Sequence, residues 1–367
     1  MKYMKFYKSF LLIFCLSFGA VQTHAQQTDD YKVIAYYTGK GESIQKYPVE
    51  KLTHIIYSFL KIRNDTLTVA NAKQDSMLKQ LVALKEKYPK LKIMVSVGGW
   101  GGCSFCSDLF ASEQHRNMFA KTTVELFKKY NVDGLDLDWE YPTIEGYPGH
   151  KYQKDDKKNF TALIQALRLE MGDKYLLTFA AGGFKKFLKK SVDWKAIMPS
   201  LDFVNLMTYD LTGGYSKVTG HHTPLHNNRK QKESTSNCVK WLLRHKMPSK
   251  KLIIGAAFYA RVWEYVPDTA NGLYQSGKFK RGVPFRNFET YFTEANGFKY
   301  YFDEKAQAPY QYSSSQKLFA TFDDERSIEL KSKYIKKKKL GGMMFWELTE
   351  DKPTGGLVDK IHKSLIE

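Results

Sequence analysis

The sequence predicts an α/β protein: a closed (β/α)8 TIM barrel with a small α+β insertion between its seventh and eighth strands. Three observations carry this. From Tyr31 onward, short β-rich runs alternate with longer helical patterns, the rhythm of a parallel sheet. The β-rich runs number eight, enough to close a barrel. Residues of unusual chemistry gather at the C-terminal ends of these runs, the end where such barrels carry their sites.

In chain order, the first eight residues are basic through Lys2, Lys5 and Lys8, an apolar run follows from Phe10 to Ala20, and Thr23-His24-Ala25 ends it. That is the pattern of a secretory signal peptide over residues 1–25, with cleavage expected after Ala25 and export of a soluble protein outside the cell or to the periplasm. The apolar run is too short to span a bilayer comfortably, and bulky Ile13 and Phe14 before Cys15 argue against a lipid anchor. Residues 26–367 then form the barrel. Its strands are expected at Lys32–Tyr37, Thr53–Leu60, Lys92–Val97, Gly134–Glu140, Leu176–Ala181, Phe203–Met207, Leu252–Phe258 and Gly341–Trp346. Helical patterns fall between them at Asp75–Lys87, Glu113–Tyr130, Lys157–Met171, Glu233–Lys246 and Glu325–Lys338.

The strand ends are chemically unusual in turn. Tyr36-Tyr37 closes the first, Ser58-Phe59 the second, Ser96-Val97-Gly98-Gly99-Trp100 the third, Glu140 the fourth and Ala181-Gly182-Gly183 the fifth. Met207-Thr208-Tyr209-Asp210 closes the sixth, Tyr259-Ala260-Arg261 the seventh and Trp346 the eighth. One aromatic at a strand end is ordinary core; eight such ends together mark a site. Residues 264–318 break the rhythm with short alternating runs such as Gly297-Phe298-Lys299-Tyr300-Tyr301-Phe302-Asp303. They are too long for a plain loop and read as a small, mostly antiparallel module with some helix at Arg286–Glu294.

The formal charge is +19, and loss of the three leader lysines leaves +16. Much of the excess is scattered or sits in Lys336-Lys337-Lys338-Lys339, which reads as solvated helix surface. A nucleic-acid partner would require basic residues on one face with stacking aromatics between them, and none is expected. Loose adhesion to anionic envelope or cell-wall polymers is compatible with the charge. Three cysteines follow the leader: Cys103 and Cys106 form either a loop-stiffening disulfide or two unpaired thiols, and Cys238 is a small buried apolar residue on a helix. Nothing implies a metal or an organic cofactor, and a monomer is expected.

The most informative stretch is Asp133-Gly134-Leu135-Asp136-Leu137-Asp138-Trp139-Glu140. On a strand, Asp136, Asp138 and Glu140 share one face while Leu135, Leu137 and Trp139 share the other. Three carboxyls in a row cannot all ionise, so they share protons and titrate as a set, which is how a protein makes a general acid. A solvated acidic turn would not interleave Leu, Leu and Trp at strand period, and a hard-cation site draws its ligands from Gly/Asn-rich loops. Asp133 has the opposite parity and suits the strand start.

This block resembles the Asp-x-x-Asp-x-Asp-x-Glu signature of glycoside hydrolase family 18, the chitinase family. Ser96-x-Gly98-Gly99 and Met207-x-Tyr209-Asp210 resemble its third- and sixth-strand motifs, and Trp346 sits where the family places the floor of the subsite holding the reacting sugar. The resemblance covers essentially all of residues 26–367. It identifies 264–318 with the insertion that walls the deeper-clefted members; with no carbohydrate-binding tail, Ser/Thr/Pro linker or repeat after Trp346, a catalytic domain alone is expected. It implies hydrolysis of β-1,4-linked N-acetylglucosamine polymers, chitin or its oligosaccharides, with retention and with the substrate's own acetamide as nucleophile. Glu140 would then be the acid and later the base, Asp138 would hold the acetamide N–H, and Asp136 would share a proton with Asp138 and lean on Ser96 and Tyr36. Tyr209 would hold the acetamide oxygen. Phe59, Trp100, Tyr259 and Trp346 would offer faces to sugar rings, Asp210 and Arg261 would fix hydroxyls or each other, Tyr36, Ser96 and Gly99 would belong to the same substrate-binding surface, and Met207 would line an acetyl pocket. Trp139 and Trp241 belong to the core or the outer layer. The resemblance also implies non-proline cis peptides at Ser58-Phe59, Glu140-Tyr141 and Trp346-Glu347, at least two of the three. Two alternatives share the motif: an endo-β-N-acetylglucosaminidase acting on N-glycan or cell-wall sugars, and a non-catalytic chitin-binding lectin. Such lectins typically lose the terminal Glu or middle Asp, both present here.

Overall fold

A computed structural model describes residues 31–40 and 43–367, together with Met1 and Tyr3; the signal-peptide segment and Cys15 lie otherwise outside the described residues. The strands are β1 (Lys32–Tyr37), β2 (His54–Arg63), β3 (Thr66–Thr68), β4 (Lys92–Gly98), β5 (Gly134–Asp138), β6 (Leu176–Gly182), β7 (Phe203–Met207) and β8 (Leu252–Ala257). They continue as β9 (Tyr259–Glu264), β10 (Lys278–Pro284), β11 (Phe298–Asp303), β12 (Ala308–Ser313), β13 (Leu318–Thr321) and β14 (Gly342–Trp346). Eight of them run parallel in the order β1-β14-β8-β7-β6-β5-β4-β2, and β2 pairs back onto β1 to close the barrel. β3 adds only a short antiparallel hairpin to β2.

Strand parity sorts the core into two layers. On β1, Ile34 and Tyr36 point inward and join Ile56, Met94, Phe203, Ile253 and Met344 in the barrel interior. Val33, Ala35 and Tyr37 point outward into the larger cluster under the helices. On β5, Leu135 and Leu137 join that outer cluster, as does Trp139, packed against Phe110 and Phe160. Trp241 packs partly buried against the same cluster. The helix Glu113–Tyr130 is capped by Ser112, whose side chain accepts from His115 N, and ends at Asn131 in the left-handed region. The chain thereby turns into Asp133, which accepts hydrogen bonds from Ile93 N (2.8 Å) and Lys85 Nζ (3.0 Å) at the foot of β5.

The second sheet is antiparallel, in the order β10-β9-β13-β12-β11. It begins at Tyr259, earlier than the rhythm of the sequence suggests, because only Phe258 separates β8 from β9. Its segment at 285–291 is one 3-10 turn and one α turn instead of a helix to Glu294. The junction back to the barrel is locked by a fully buried ion pair, Lys331 Nζ to Asp323 Oδ2 at 2.6 Å, with Thr223 Oγ1 against both. The helix expected at Glu233–Lys246 runs from Thr235 to Arg244, because Ser234 caps its start and Lys246 takes a left-handed φ of 63°.

Cys103 and Cys106 form a disulfide, and Cys238 is a buried free thiol. Ser58-Phe59, Glu140-Tyr141 and Trp346-Glu347 are all cis. Among the described residues no helix is long and apolar enough to cross a membrane.

Candidate active site

At the C-terminal mouth of the barrel lies a cleft of about 850 Å3. Strand β5 delivers its acidic face to it. The ladder of β5 with β4 ends at the pair Gly98–Asp138, so the strand stops there and Glu140 stands just beyond it, not within it as the alternation suggests. Gly99 N donates to Asp138 O at 2.8 Å. This close approach requires glycine: Gly98 has φ of 105°, and a Cβ there would lie 2.0 Å from Asp138 O.

Asp136 is completely enclosed and does not reach the cleft surface. Four donors surround its carboxyl: Tyr36 OH (2.9 Å) and Ser96 Oγ (3.1 Å) on Oδ2, Thr178 Oγ1 (2.7 Å) and Asn205 Nδ2 (3.0 Å) on Oδ1. Burial pushes its pKa up while these hydrogen bonds oppose the rise. Its carboxyl in turn adds to the rise in the pKa of Asp138. Ser96, too, is fully buried and supports Asp136 from the adjacent strand, away from the cleft surface.

The other predicted residues line the cleft together: Asp138, Glu140 and Tyr209; Tyr36, Phe59, Gly99 and Trp100; Met207, Asp210, Tyr259, Arg261 and Trp346. Asp138 is 4% exposed, and its Oδ1 is buried without a hydrogen-bond partner. Burial, then the neighbouring Glu140 and Asp136, raise its pKa well above the usual carboxyl range. Burial pushes Glu140 up to about 7, with a hydrogen bond from Tyr141 working against the shift and the charge of Asp210 adding to it. Burial likewise keeps the phenols of Tyr36 and Tyr209 neutral far above their normal range.

Asp210 behaves differently. Arg261 grips it with two hydrogen bonds, Nε to Oδ1 at 2.7 Å and Nη2 to Oδ2 at 2.5 Å, and His222 Nδ1 stands 3.5 Å from Oδ1. Burial disfavours its charge, but His222 and Arg261 outweigh that and hold the carboxyl far below its usual range. Trp346 floors the cleft, with Phe59 stacked on it at 5.7 Å and 21° and Tyr36 tilted against it at 5.7 Å. Trp100, over a third exposed, meets Tyr215 at 6.1 Å and Tyr147 at 5.9 Å.

Several cleft residues escaped the sequence reading. Tyr141 directly follows Glu140 and packs on Phe184 and Phe187. Tyr215 follows Gly213-Gly214 in a loop after β7, and Phe279, Gly282 and Glu350 come from the second sheet and from the turn after β14. Tyr215 had a usable signal, an aromatic after paired glycines beyond a site strand. Glu350, four residues past Trp346, had none.

The family model of glycosyl hydrolases family 18 matches residues 32–351. Chitinase A1 of Niallia circulans is 30% identical over 94% of this chain and 62% of its own length, so the chain spans less than two thirds of that relative. Chitinase B of Serratia marcescens is 29% identical over 88% of this chain and 79% of its own. Among solved structures, a chitinase from Bacillus thuringiensis superposes with a TM-score of 0.85 at 27% identity, covering 92% of this chain and 70% of that one. A family 18 N-acetylglucosaminidase from Paenibacillus barengoltzii superposes with a TM-score of 0.82 at 35% identity, covering 91% and 100%. With the match running across the barrel and the acidic row at its mouth, the chain belongs to glycosyl hydrolases family 18.

Proposed function

We propose that this protein is a secreted chitinase that hydrolyses β-1,4 linkages between N-acetylglucosamine units with retention, using the substrate's acetamide as nucleophile. Its secretion rests on the N-terminal sequence. The observation that carries the catalytic reading is the pairing of Glu140, buried and poised at about 7, with Asp138, which lines the same cleft and whose buried Oδ1 has no hydrogen-bond partner.

The chemistry follows from those two states. Glu140 begins protonated and donates its proton to the glycosidic oxygen as the bond to the anomeric carbon breaks. The Asp138 carboxyl accepts the acetamide N–H, which turns the acetamide carbonyl oxygen onto the anomeric carbon and stabilises the oxazolinium ion that forms. Tyr209, a neutral phenol, donates to that same carbonyl oxygen and fixes its angle of attack. Glu140, now ionised, takes a proton from the water that opens the ring, restoring the β-configuration. Asp210 is not available as a nucleophile, because both its oxygens are held by Arg261. Trp346 and Phe59 give the reacting sugar an apolar floor.

Hydrolysis of N-acetylglucosamine oligomers by the mature protein and by Glu140→Gln, with early products resolved by anomer, tests this. The expected result is β-anomer from the wild type and a loss of about 10²–10⁴-fold in the variant. Initial α-anomer, or a variant that cleaves normally, would refute it; binding without cleavage by both proteins would make the molecule a lectin. A second reading concerns where the chain is cut. Trp100 and Tyr215, from two different loops, meet at 6.1 Å within the cleft lining, and from this contact we infer cutting near a chain end over random internal cutting. Release of one- or two-unit products from long oligomers at the earliest times would support it.

A further inference from the structure

Glu350 is a cleft carboxyl that the mechanism does not use. It lies four residues beyond Trp346, at the end of the 3-10 turn Leu348–Glu350, and lines the same cavity as Trp346, Tyr259 and Arg261. Its Oε2 is buried and has no hydrogen-bond partner. The charged groups around it are Glu347, Arg286, Arg261 and Asp210. Each is engaged elsewhere. Arg261 holds Asp210, Arg286 donates to Thr349 O, and Glu347 accepts from Thr38 N, Thr349 N and the Thr349 hydroxyl.

The local charge count is uneven. Three carboxyls, Asp210, Glu347 and Glu350, face two guanidinium groups, Arg261 and Arg286, so one carboxyl is left without a cation. Burial, followed by the repulsion of Glu347, raises the Glu350 pKa to about 8, so it carries a proton at neutral pH in the empty cleft. A charged ligand donor would fill the open hydrogen bond and, by pairing with the ionised carboxylate, let that proton leave. In a cleft that takes a chain of amino sugars, the donor of matching chemistry is a sugar ammonium.

We propose that Glu350 is a specificity-determining residue that selects a deacetylated unit, 2-amino-2-deoxyglucose, in the subsite beside the reacting sugar. The proposal rests on the substrate class given above. The reacting unit must keep its acetyl group to supply the nucleophile, so the selection acts on a neighbour. The protein would then cut preferentially where an acetylated unit adjoins a deacetylated one, and partly deacetylated chitin would be a better substrate than the fully acetylated polymer. Binding of the ammonium would expel the proton from Glu350.

The test is digestion of partly deacetylated chitin oligomers in mildly acidic buffer by the wild type and by Glu350→Gln, with products sequenced by mass spectrometry. Glucosamine should be enriched about tenfold at one fixed position counted from the new chain end in the wild type, and fall to its starting frequency in the variant. The ratio is internal to each digest, so it does not depend on how much variant folds. A second measurement needs no Glu350 variant: calorimetry in buffers of different ionisation enthalpy, on Glu140→Gln protein, should record proton release with a singly deacetylated oligomer and none with the acetylated one. Wild-type products with no positional enrichment, enrichment that persists in Glu350→Gln, or equal proton release with both ligands would overturn the proposal. If the wild type does not cleave acetylated oligomers, it is the chitinase reading that fails.

Discussion

Thr178→Val is the sharpest probe of how the acidic row is supported. Thr178 is completely buried on β6, and its hydroxyl donates to Asp136 Oδ1 at 2.7 Å. Valine keeps the shape and deletes the donor. A hydrogen bond to a charged group contributes about 1.5–3 kcal/mol, and one to a neutral group about 0.5–1.5 kcal/mol. For a folded unit of about 340 residues, an unfolding entropy of ~2.1 cal/mol/K per residue amounts to about 0.7 kcal/mol/K. The charged case therefore lowers Tm by about 2–4 °C and the neutral case by about 1–2 °C. Which case applies depends on pH. Burial raises the folded pKa of Asp136 above its unfolded value, so the folded protein binds the proton more tightly and loses stability as pH rises between those two values. Removing a donor raises the folded pKa further. The gap in Tm between wild type and Thr178→Val should thus be small in acid, where Asp136 is protonated in both proteins, and should widen toward alkaline pH. Adding Tyr36→Phe, which strips a donor from the other oxygen, should cost less than the sum of the two single changes, because an Asp136 already protonated loses only a neutral bond. Thermal unfolding across pH reads both effects. A gap independent of pH, or one that shrinks as pH rises, would refute the view that these donors hold a carboxylate.

Glu140 must start protonated, so kcat/KM should fall about tenfold per pH unit above a limb near 7, as read from a pH–rate profile on soluble oligomers. Because the charge of Asp210 helps raise Glu140, Asp210→Asn should move that limb to lower pH, by up to about one unit. Trp346→Ala removes the cleft floor and should lower kcat/KM by roughly 30-fold, about 2 kcal/mol, with little change in Tm. Lys331→Met leaves Asp323 buried without its cation and should cost about 3–5 kcal/mol, a fall in Tm of about 4–7 °C; Asp323→Asn added to it should recover part of that loss.

Much of the barrel and of its acidic face could be read from the chain, because strand parity is a property of sequence alone. Asp136, Asp138 and Glu140 share a face by their spacing, and Leu135, Leu137 and Trp139 share the outer one. What escaped depends on register, which no single strand encodes. Thr178 and Asn205 reach Asp136 only because β5 pairs with β6 as Asp136–Thr178 and β6 pairs with β7 as Ala180–Asn205. Ser96 was expected at the substrate surface because it belongs to a strand-end motif; its pairing opposite Asp136 places it one layer below. The start of the second sheet was missed for a related reason: β8 and β9 form an apolar run broken only at Phe258, so no change of period marks the boundary.

The row also explains how one residue type can serve different ends at successive positions. Strand rise turns sequence order into depth, so two residues along the chain is one layer outward along the barrel axis. Asp136, deepest, meets four donors from four strands, β1, β4, β6 and β7, because all the strands converge there. One layer up, the strands are ending and the donors run out, so Asp138 keeps a bare oxygen. Beyond the last ladder pair, Glu140 has left the sheet and is covered by loop aromatics rather than by strands. Burial without donors raises a carboxyl pKa, whereas burial with donors resists that rise. A proton on the outermost carboxyl and a supporting pedestal beneath it therefore follow from where a parallel barrel runs out of backbone and side-chain donors. Glu350 obeys the same rule from the opposite rim: it follows the end of β14, finds no donor, and is left for the ligand to complete.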